Sequence, residues 1–398
     1  MSENGPARAW APLLARNPGA VGRVYGKLAF MNSYPPRILL LSAYDTGSHR
    51  HWCRQLMSQH PYWHWQPMTL PPRYFRWRIR GNPLSWYDCP ELDQSWDLVV
   101  ATSMVDLATL KGIKPEVGRA PALLYMHENQ FAYPASAGQH QSLDPQMVNL
   151  YSATAADRVV FNSEWNRCSF MEGARALLTR LPDAVPQRLL GDIEARSQVL
   201  PVPVEDTLFQ GQERELARAC PHLLWNHRWE YDKGPDRLLA LCQALRDQGQ
   251  DFRLSVVGEQ FRQQPAAFER LRQDFAERIL NWGFIASRAD YKALLGSADV
   301  VVSTASHDFQ GLAMLEAMAA GCRALAPDRL AYPEYVPANQ RYASYPDDVK
   351  KEAGAAARML VEMLSNPIPA TPPMAWSSSA LAPRYQALLA SLLPGSGE

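Results

Sequence analysis

From Arg37 onward the sequence alternates short leucine-rich or β-branched runs with longer amphipathic stretches, a pattern that admits little besides parallel sheets covered by helices. Residues 37–43, 98–102, 123–127, 159–162 and 198–202 predict strands, and 142–156 is one of the helices between them. The tract Pro201-Val202-Pro203-Val204 then interrupts regular structure. A second series follows, with strands over 223–226, 253–258, 279–284 and 300–304 and helices over 235–248, 265–276, 290–297 and 312–320. Gly234, Gly249, Gly258 and Gly321 punctuate these elements. The expected organisation is two α/β domains, over residues 36–204 and 205–365. A Pro-rich crossing segment and a terminal helix over 382–392 then occupy residues 366–398. A chain of 398 residues exceeds what one core usually organises, in keeping with two domains.

Composition narrows the partners. Lys plus Arg and Asp plus Glu balance at 40 each, so any nucleic-acid contact must come from a local patch rather than the whole-chain field. The six cysteines include no C-x-x-C pair and read as reduced thiols. No run approaches the ~20 apolar residues of a membrane span. The first thirty residues mix Arg with Pro and Gly and lack the apolar core of a secretory signal, so a cytoplasmic location with no membrane attachment is expected. Globular patterning begins only at Pro36, so residues 1–35 are expected to be a disordered extension and Met31 is a candidate start.

In open α/β sheets ligands bind beyond the carboxyl ends of the strands, which makes the residues just after each strand the informative ones. After the first strand, Tyr44-Asp45-Thr46-Gly47-Ser48-His49 places Gly47 at a helix start, where bare amides suit an anion. After the third, His127-Glu128-Asn129-Gln130 sets four polar groups where a buried strand yields to a loop. In the second series, Arg228 and Lys233-Gly234-Pro235 bring two cations to one loop mouth, a pairing suited to a diphosphate. Asp308, Gln310, Gly311, Leu312 and Glu316 then place one carboxylate on each side of a helix start. Carboxylates flanking an anion site are tolerable when they accept from hydroxyls, which points to a nucleotide sugar.

The arrangement Arg228…Lys233-Gly234, then Asp308, seven residues and Glu316, resembles the retaining glycosyltransferases of the GT-B fold, with two Rossmann-like parallel-sheet domains facing a central cleft. Members normally carry Glu at the first acidic position, where this chain has the shorter Asp308. Trp63-His64-Trp65, Tyr125 to Gln130, Val160-Phe161-Asn162-Ser163, His227 to Lys233 and His307 to Gly311 narrow the match: together they are similar to the tRNA-queuosine alpha-mannosyltransferase family over roughly residues 36 to 345.

The resemblance implies roles for individual residues. Arg228 and Lys233 would hold the diphosphate with the amides of Gly311 and Leu312, and Gly47 would line it from the first domain. Gln310 belongs to the same donor loop, and Gly258 and Phe284 would lie near the base, where GDP is distinguished from UDP. Glu316 would accept from ribose hydroxyls, Asp308 from the transferred sugar, and His127 would face the reaction centre. His49, Glu128, Asn129 and Gln130 would lie on the acceptor side. The implied reaction is mannose transfer from GDP-mannose to the cyclopentenediol of queuosine at the tRNA wobble position, with retention. No Asp-x-Asp triad occurs, which fits an enzyme without a metal or other cofactor.

Residues 73–80 (RYFRWRIR) interleave arginines with aromatics. Arg73, Arg76, Trp77, Arg78 and Arg80, extended by Trp86 and Tyr87, form the candidate RNA patch, since arginine contacts phosphates and aromatic planes stack on unpaired bases. Two other readings stand beside this one: a sugar transferase acting on a small-molecule, lipid or protein acceptor, and a non-catalytic binding module. Retention of Asp308, His127, Arg228 and Lys233 argues against the module.

Overall fold

The computed structural model describes residues 34–133, 142–210, 215–216, 219–261 and 264–394. The extension expected over residues 1–35 lies almost entirely outside them.

The chain runs β1 (Arg37–Ser42), α1 (Gly47–Gln59), β2 (His64–Thr69), α2 (Phe75–Ser85), β3 (Leu98–Thr102), α3 (Leu107–Ile113), α4 (Pro115–Arg119), β4 (Ala122–Met126), α5 (Asp144–Ala155), β5 (Arg158–Phe161), α6 (Glu164–Leu178), α7 (Leu189–Ala195) and β6 (Ser197–Val199). It continues through β7 (His222–Asn226), α8 (Pro235–Asp247), β8 (Arg253–Val257), α9 (Ala266–Asp274), β9 (Ile279–Gly283), α10 (Arg288–Ser297), β10 (Val300–Val302), α11 (Leu312–Ala319), β11 (Arg323–Pro327), β12 (Arg341–Tyr342), α12 (Val349–Ser365) and α13 (Ser378–Ala390).

All the strands pair in parallel within two six-stranded sheets, ordered β2-β1-β3-β4-β5-β6 and β12-β11-β10-β7-β8-β9. The chain direction around each sheet reverses between β1 and β3 in the first and between β7 and β10 in the second. A crevice opens at such a switch point because the flanking loops part to opposite faces. The loops carrying Gly47, Arg228, Lys233 and Asp308 leave from these strands.

Both faces of each sheet are covered, as the near-continuous apolar runs require. In β1, Leu39 and Leu41 enter one core with Val99, Leu124 and Phe161, while Ile38 and Leu40 enter another with Val100, Leu123 and Tyr125. The second core is closed by α13, whose Leu381, Tyr385, Leu388 and Leu389 pack there although they come from the far end of the chain. Tyr385 ties the join: its hydroxyl accepts from Trp52 Nε1 at 2.9 Å and donates to the Pro201 carbonyl at 2.9 Å.

Several elements depart from the sequence reading. β2, β11 and β12 were not anticipated. β2 is a half-exposed edge strand containing Pro67, tolerated because the edge needs no second hydrogen-bond ladder. β6 ends at Val199, ahead of Pro201. α13 begins at Ser378, a turn earlier than expected, because Ser377 caps it by accepting from Ala380 N at 3.2 Å. Residues 75–85 form a helix rather than a continuous surface strip. Pro83 cannot donate to the Ile79 carbonyl, and Asn82 Nδ2 bonds that carbonyl instead at 3.3 Å.

Candidate active site

The loop after β7 gathers positive charge. Lys233 is buried, donates from Nζ to the His307 carbonyl at 2.7 Å, and lies 3.3 Å from Asp232 Oδ2 and 3.6 Å from Asp308 Oδ2. Arg228 pairs with Glu230 at 2.9 Å. Burial opposes its charge, but Glu230, Tyr133 and Asp232 outweigh that and hold the guanidinium firmly protonated. His227, buried against Trp225, is driven down to about 4, first by burial.

The loop after β10 supplies the opposing carboxylate. Asp308 Oδ1 accepts from the Gly311 amide at 3.0 Å and Oδ2 from Tyr332 at 3.3 Å. Burial pushes this carboxyl up, but Lys233 and the neighbouring His227 and His307 overcome it and hold it below its ordinary range. Gly311 has φ 76°, and a Cβ there would collide with the Tyr335 hydroxyl and come within 3.0 Å of Tyr332 Cε1, so this corner excludes any side chain. Further into α11, Glu316 accepts from Tyr291 at 2.7 Å and from Arg288 at 3.2 Å, and Asn226 steadies Tyr291 at 2.6 Å.

From the first sheet, His127 directly follows β4 and is buried, and neither ring nitrogen has a well-aligned hydrogen-bond partner among the described residues. Burial, then the adjacent His49, push its pKa well below the usual imidazole value, so it stands neutral. Its ring lies tilted against His49 at 4.1 Å and edge-on to Trp52 at 5.1 Å. Glu128 accepts from His49 Nε2 at 3.0 Å and from Ser103 Oγ at 2.6 Å. Burial raises the Glu128 pKa, and the contacts with His49, Ser103 and Arg228 more than reverse it, leaving the carboxyl lowered. A buried imidazole with unsatisfied nitrogens, a partner held by a carboxylate, and the Arg228 charge acting on that carboxylate suit a ligand with hydroxyls at one end and phosphates at the other.

The two sheets meet around this site. Tyr133, beyond β4, packs 5.0 Å from His307, and its phenol, pushed up to about 12 first by burial, bonds Arg228. Ser163 donates to the Phe309 carbonyl. Glu334 accepts from the Glu164 and Trp165 amides at the start of α6, at 3.0 and 2.9 Å.

The structure links His49, His127 and Glu128 with Arg228, and Lys233 with Asp308 and Gly311, leaves Glu316 on Tyr291 and Arg288, and separates others. Asn129 is fully buried, donating to Asn166 Oδ1 and Ser169 Oγ at 2.9 Å each and accepting from the Phe131 and Ala132 amides, so it braces the loop rather than meeting an acceptor. Gln130 is half-buried, its amide nitrogen 3.8 Å from Met104 Sδ. Gln310, expected at the donor, spends its amide on Val202, accepting from N and donating to O at 2.9 Å each. The Gly311 amide, expected on the diphosphate, is taken by Asp308.

In the arginine strip, Arg78 turns inward and bonds Ser85 at 3.2 Å, Arg80 pairs with Asp106 at 2.7 Å, and Trp86 is in the core. Arg73, Arg76, Trp77 and Tyr87 stay exposed. Gly47 opens α1, Leu312 opens α11, and Gly258 and Phe284 follow β8 and β9, with Phe284 exposed. Ser103, Tyr291, Arg288 and Tyr332 were missed. Ser103 follows β3 at the switch point, a readable signal, whereas Tyr291 and Arg288 sit in a helix whose pattern marks neither.

Comparison with known proteins adds the family. Residues 37–204 match the tRNA-queuosine alpha-mannosyltransferase N-terminal model, and residues 220–362 match the glycosyl transferases group 1 model. The tRNA-queuosine alpha-mannosyltransferase of Drosophila melanogaster is 33% identical over 321 residues, 78% of this chain and 85% of that protein. The chain belongs to the tRNA-queuosine alpha-mannosyltransferase family. It is a glycosyltransferase of the GT-B fold, as the sequence reading expected. A second relative of this family member, the GDP-mannose-dependent alpha-(1-6)-phosphatidylinositol dimannoside mannosyltransferase of Mycobacterium tuberculosis, is 34% identical over 112 residues, 28% of each chain. Among solved structures, Thermosynechococcus elongatus sucrose-phosphate synthase superposes with TM-score 0.61 at 16% identity, over 90% of this chain and 99% of that one. Anabaena HepE in complex with UDP and glucose does so with TM-score 0.57 at 14% identity, over 89% and 100%. At such identities these two speak for the fold alone. No helix among the described residues is long and apolar enough to cross a membrane.

Proposed function

We propose that the chain transfers mannose from GDP-mannose to a cyclopentenediol hydroxyl of queuosine in the tRNA anticodon, with retention at the anomeric carbon. The carrying observation is that Arg228, from the second sheet, bonds Tyr133 and acts on Glu128 beside His127, whose ring nitrogens lack a well-aligned partner, in a member of this family. Arg228 and Lys233 take the diphosphate and stabilise the charge that grows as it departs, so positive side chains do the work a metal would do elsewhere. Among the described residues no group of three or more His, Cys, Asp or Glu is placed to hold a metal ion.

Glu316 takes the ribose hydroxyls, exchanging its bonds to Tyr291 and Arg288 for them. His127, neutral, offers one nitrogen as donor and the other as acceptor to the sugar hydroxyls. No side chain is set as a covalent nucleophile. The acceptor hydroxyl therefore attacks the face the diphosphate leaves, and its proton passes to the leaving phosphate. The GDP-mannose dependence of the mycobacterial relative supports the donor, and the family supports the acceptor. A cytoplasmic site of action follows from a tRNA substrate.

The test incubates the purified protein with queuosine-containing tRNA and, separately, GDP-mannose, GDP-fucose, UDP-glucose and UDP-galactose, then weighs the digested nucleosides. A hexose gain on queuosine with GDP-mannose alone is expected. No gain with any donor, while a nucleotide sugar still raises the melting temperature, would move the acceptor to another class of molecule.

A further inference from the structure

Trp77 lies on α2 with half its surface exposed, at 51%. Four residues on, and so on the same helix face, is Gly81. A Cβ at Gly81 would lie 2.5, 2.6 and 2.7 Å from Cε2, Cδ2 and Cε3 of Trp77. These near-equal approaches to one six-membered ring mean that the indole covers Gly81 with its face. The missing side chain is what lets so large a ring lie flat on the helix, its other face turned to water. A glycine inside a helix costs about 1 kcal/mol relative to alanine, so the seat runs against local propensity.

The surroundings are cationic and planar. Arg73 and Arg76 are exposed and make no ion pair among the described residues. The Arg73 guanidinium lies 5.6 Å over the ring of Tyr74, which is 70% exposed and held at φ 55°, a conformation uncommon for a bulky residue. The start of this helix adjoins the cleft: Phe75, the first residue of α2, packs edge-on to Tyr44 at 6.2 Å, and the Tyr44 phenol feels the charges of Arg228 and Glu128, while Trp77, two residues on, faces the other way.

We propose that Trp77, seated on Gly81, is a stacking platform for an unpaired base of the acceptor RNA, with Arg73 and Arg76 holding the phosphates on either side. This rests on the tRNA reading above. An open aromatic face at a helix start that also carries two exposed cations matches a single-stranded nucleic acid, whose bases present π-faces and whose backbone presents anions, better than an apolar protein surface. Arg78 and Arg80, turned inward or ion-paired, take no part.

The experiment uses the full chain and an unmodified anticodon stem-loop RNA followed by fluorescence anisotropy, with GDP affinity measured alongside. Trp77→Ala weakens RNA binding about tenfold or more, and Trp77→Phe recovers most of it. Gly81→Ala weakens RNA binding although it deletes nothing, because its methyl displaces the indole. Arg73→Gln with Arg76→Gln lowers the salt dependence of binding, and GDP affinity is unchanged throughout. Stem-loop affinity unaltered in both Trp77→Ala and Gly81→Ala overturns the platform, as does a parent protein that binds no stem-loop. Loss of GDP affinity with RNA affinity in a variant would reassign the effect to the fold. The proposed function fails separately, if the parent protein adds no hexose to queuosine; if the parent transfers and Trp77→Ala transfers with unchanged KM for tRNA, only the platform falls.

Discussion

The imidazole of His49 lies 4.1 Å, centre to centre, from that of His127 at a tilt of 30°, and Glu128 grips the outer ring through Nε2. Glu128→Ala strands two buried donors, His49 Nε2–H and the Ser103 hydroxyl, and urea unfolding is expected to show a loss of about 1–3 kcal/mol. Glu128→Gln keeps an acceptor for Ser103 and offers His49 a donor, forcing the ring proton to Nδ1. It loses less stability than the alanine variant. An alanine variant as stable as the parent would mean that the pair contributes only to geometry.

Acid should weaken the fold through its buried imidazoles. His227 and His307 are each lowered from 6.5 to about 4, and His127 lies well below its usual value. Below pH 6.5 the unfolded chain takes up protons that the folded one refuses, so stability falls as pH drops from 6.5 towards 4. Each such group contributes about 1.4 kcal/mol per pH unit across that window. Melting temperatures between pH 7.5 and 5 should fall, and His227→Asn should flatten the slope. A slope identical to the parent's would remove His227 from the account.

Removing a donor-side cation should strike catalysis harder than binding. Arg228→Gln is expected to lower kcat about a hundredfold, because its charge is most needed as the diphosphate leaves. Lys233→Met adds a stability loss, since Asp308 and Asp232 lose their nearest ammonium. Steady-state kinetics with GDP-mannose check the first, and thermal unfolding the second. A rise in KM with kcat intact for Arg228→Gln would mean that it binds substrate and transition state alike.

Gln310→Ala uncouples a contact that sequence placed on the donor. It leaves the Val202 amide and carbonyl unpaired, each at about 1–3 kcal/mol, while GDP affinity should change little. Calorimetry with GDP showing a loss larger than the unfolding loss would return Gln310 to the donor site.

Most strands were legible because each is a buried apolar run bounded by turn residues, and the cations and carboxylates stood out by following those runs. β2 was not, because an edge strand with one half-buried face carries Trp, Gln and Pro in no clear alternation. The strip over residues 73–80 was legible only in part, because a list of arginines and aromatics carries no period. Once those residues are helical, each step turns ~100°, and Arg78 and Ile79 fall inward while Arg76 and Trp77 stay outside. Gln310 and Asn129 were assigned by neighbourhood, yet an amide side chain is as able to tie backbone as to meet a ligand, and only the fold around it distinguishes these uses.

The tail of the chain finishes a core that the head begins. Leu381, Tyr385, Leu388 and Leu389 cover Ile38, Leu40, Trp52 and Tyr125, and burying each large apolar group is worth about 1.5–3 kcal/mol. During synthesis the ribosome delivers the first sheet long before these four residues. The amino-terminal sheet therefore keeps one apolar face open until the carboxyl-terminal half has emerged, so the order of synthesis and the order of core closure are opposite.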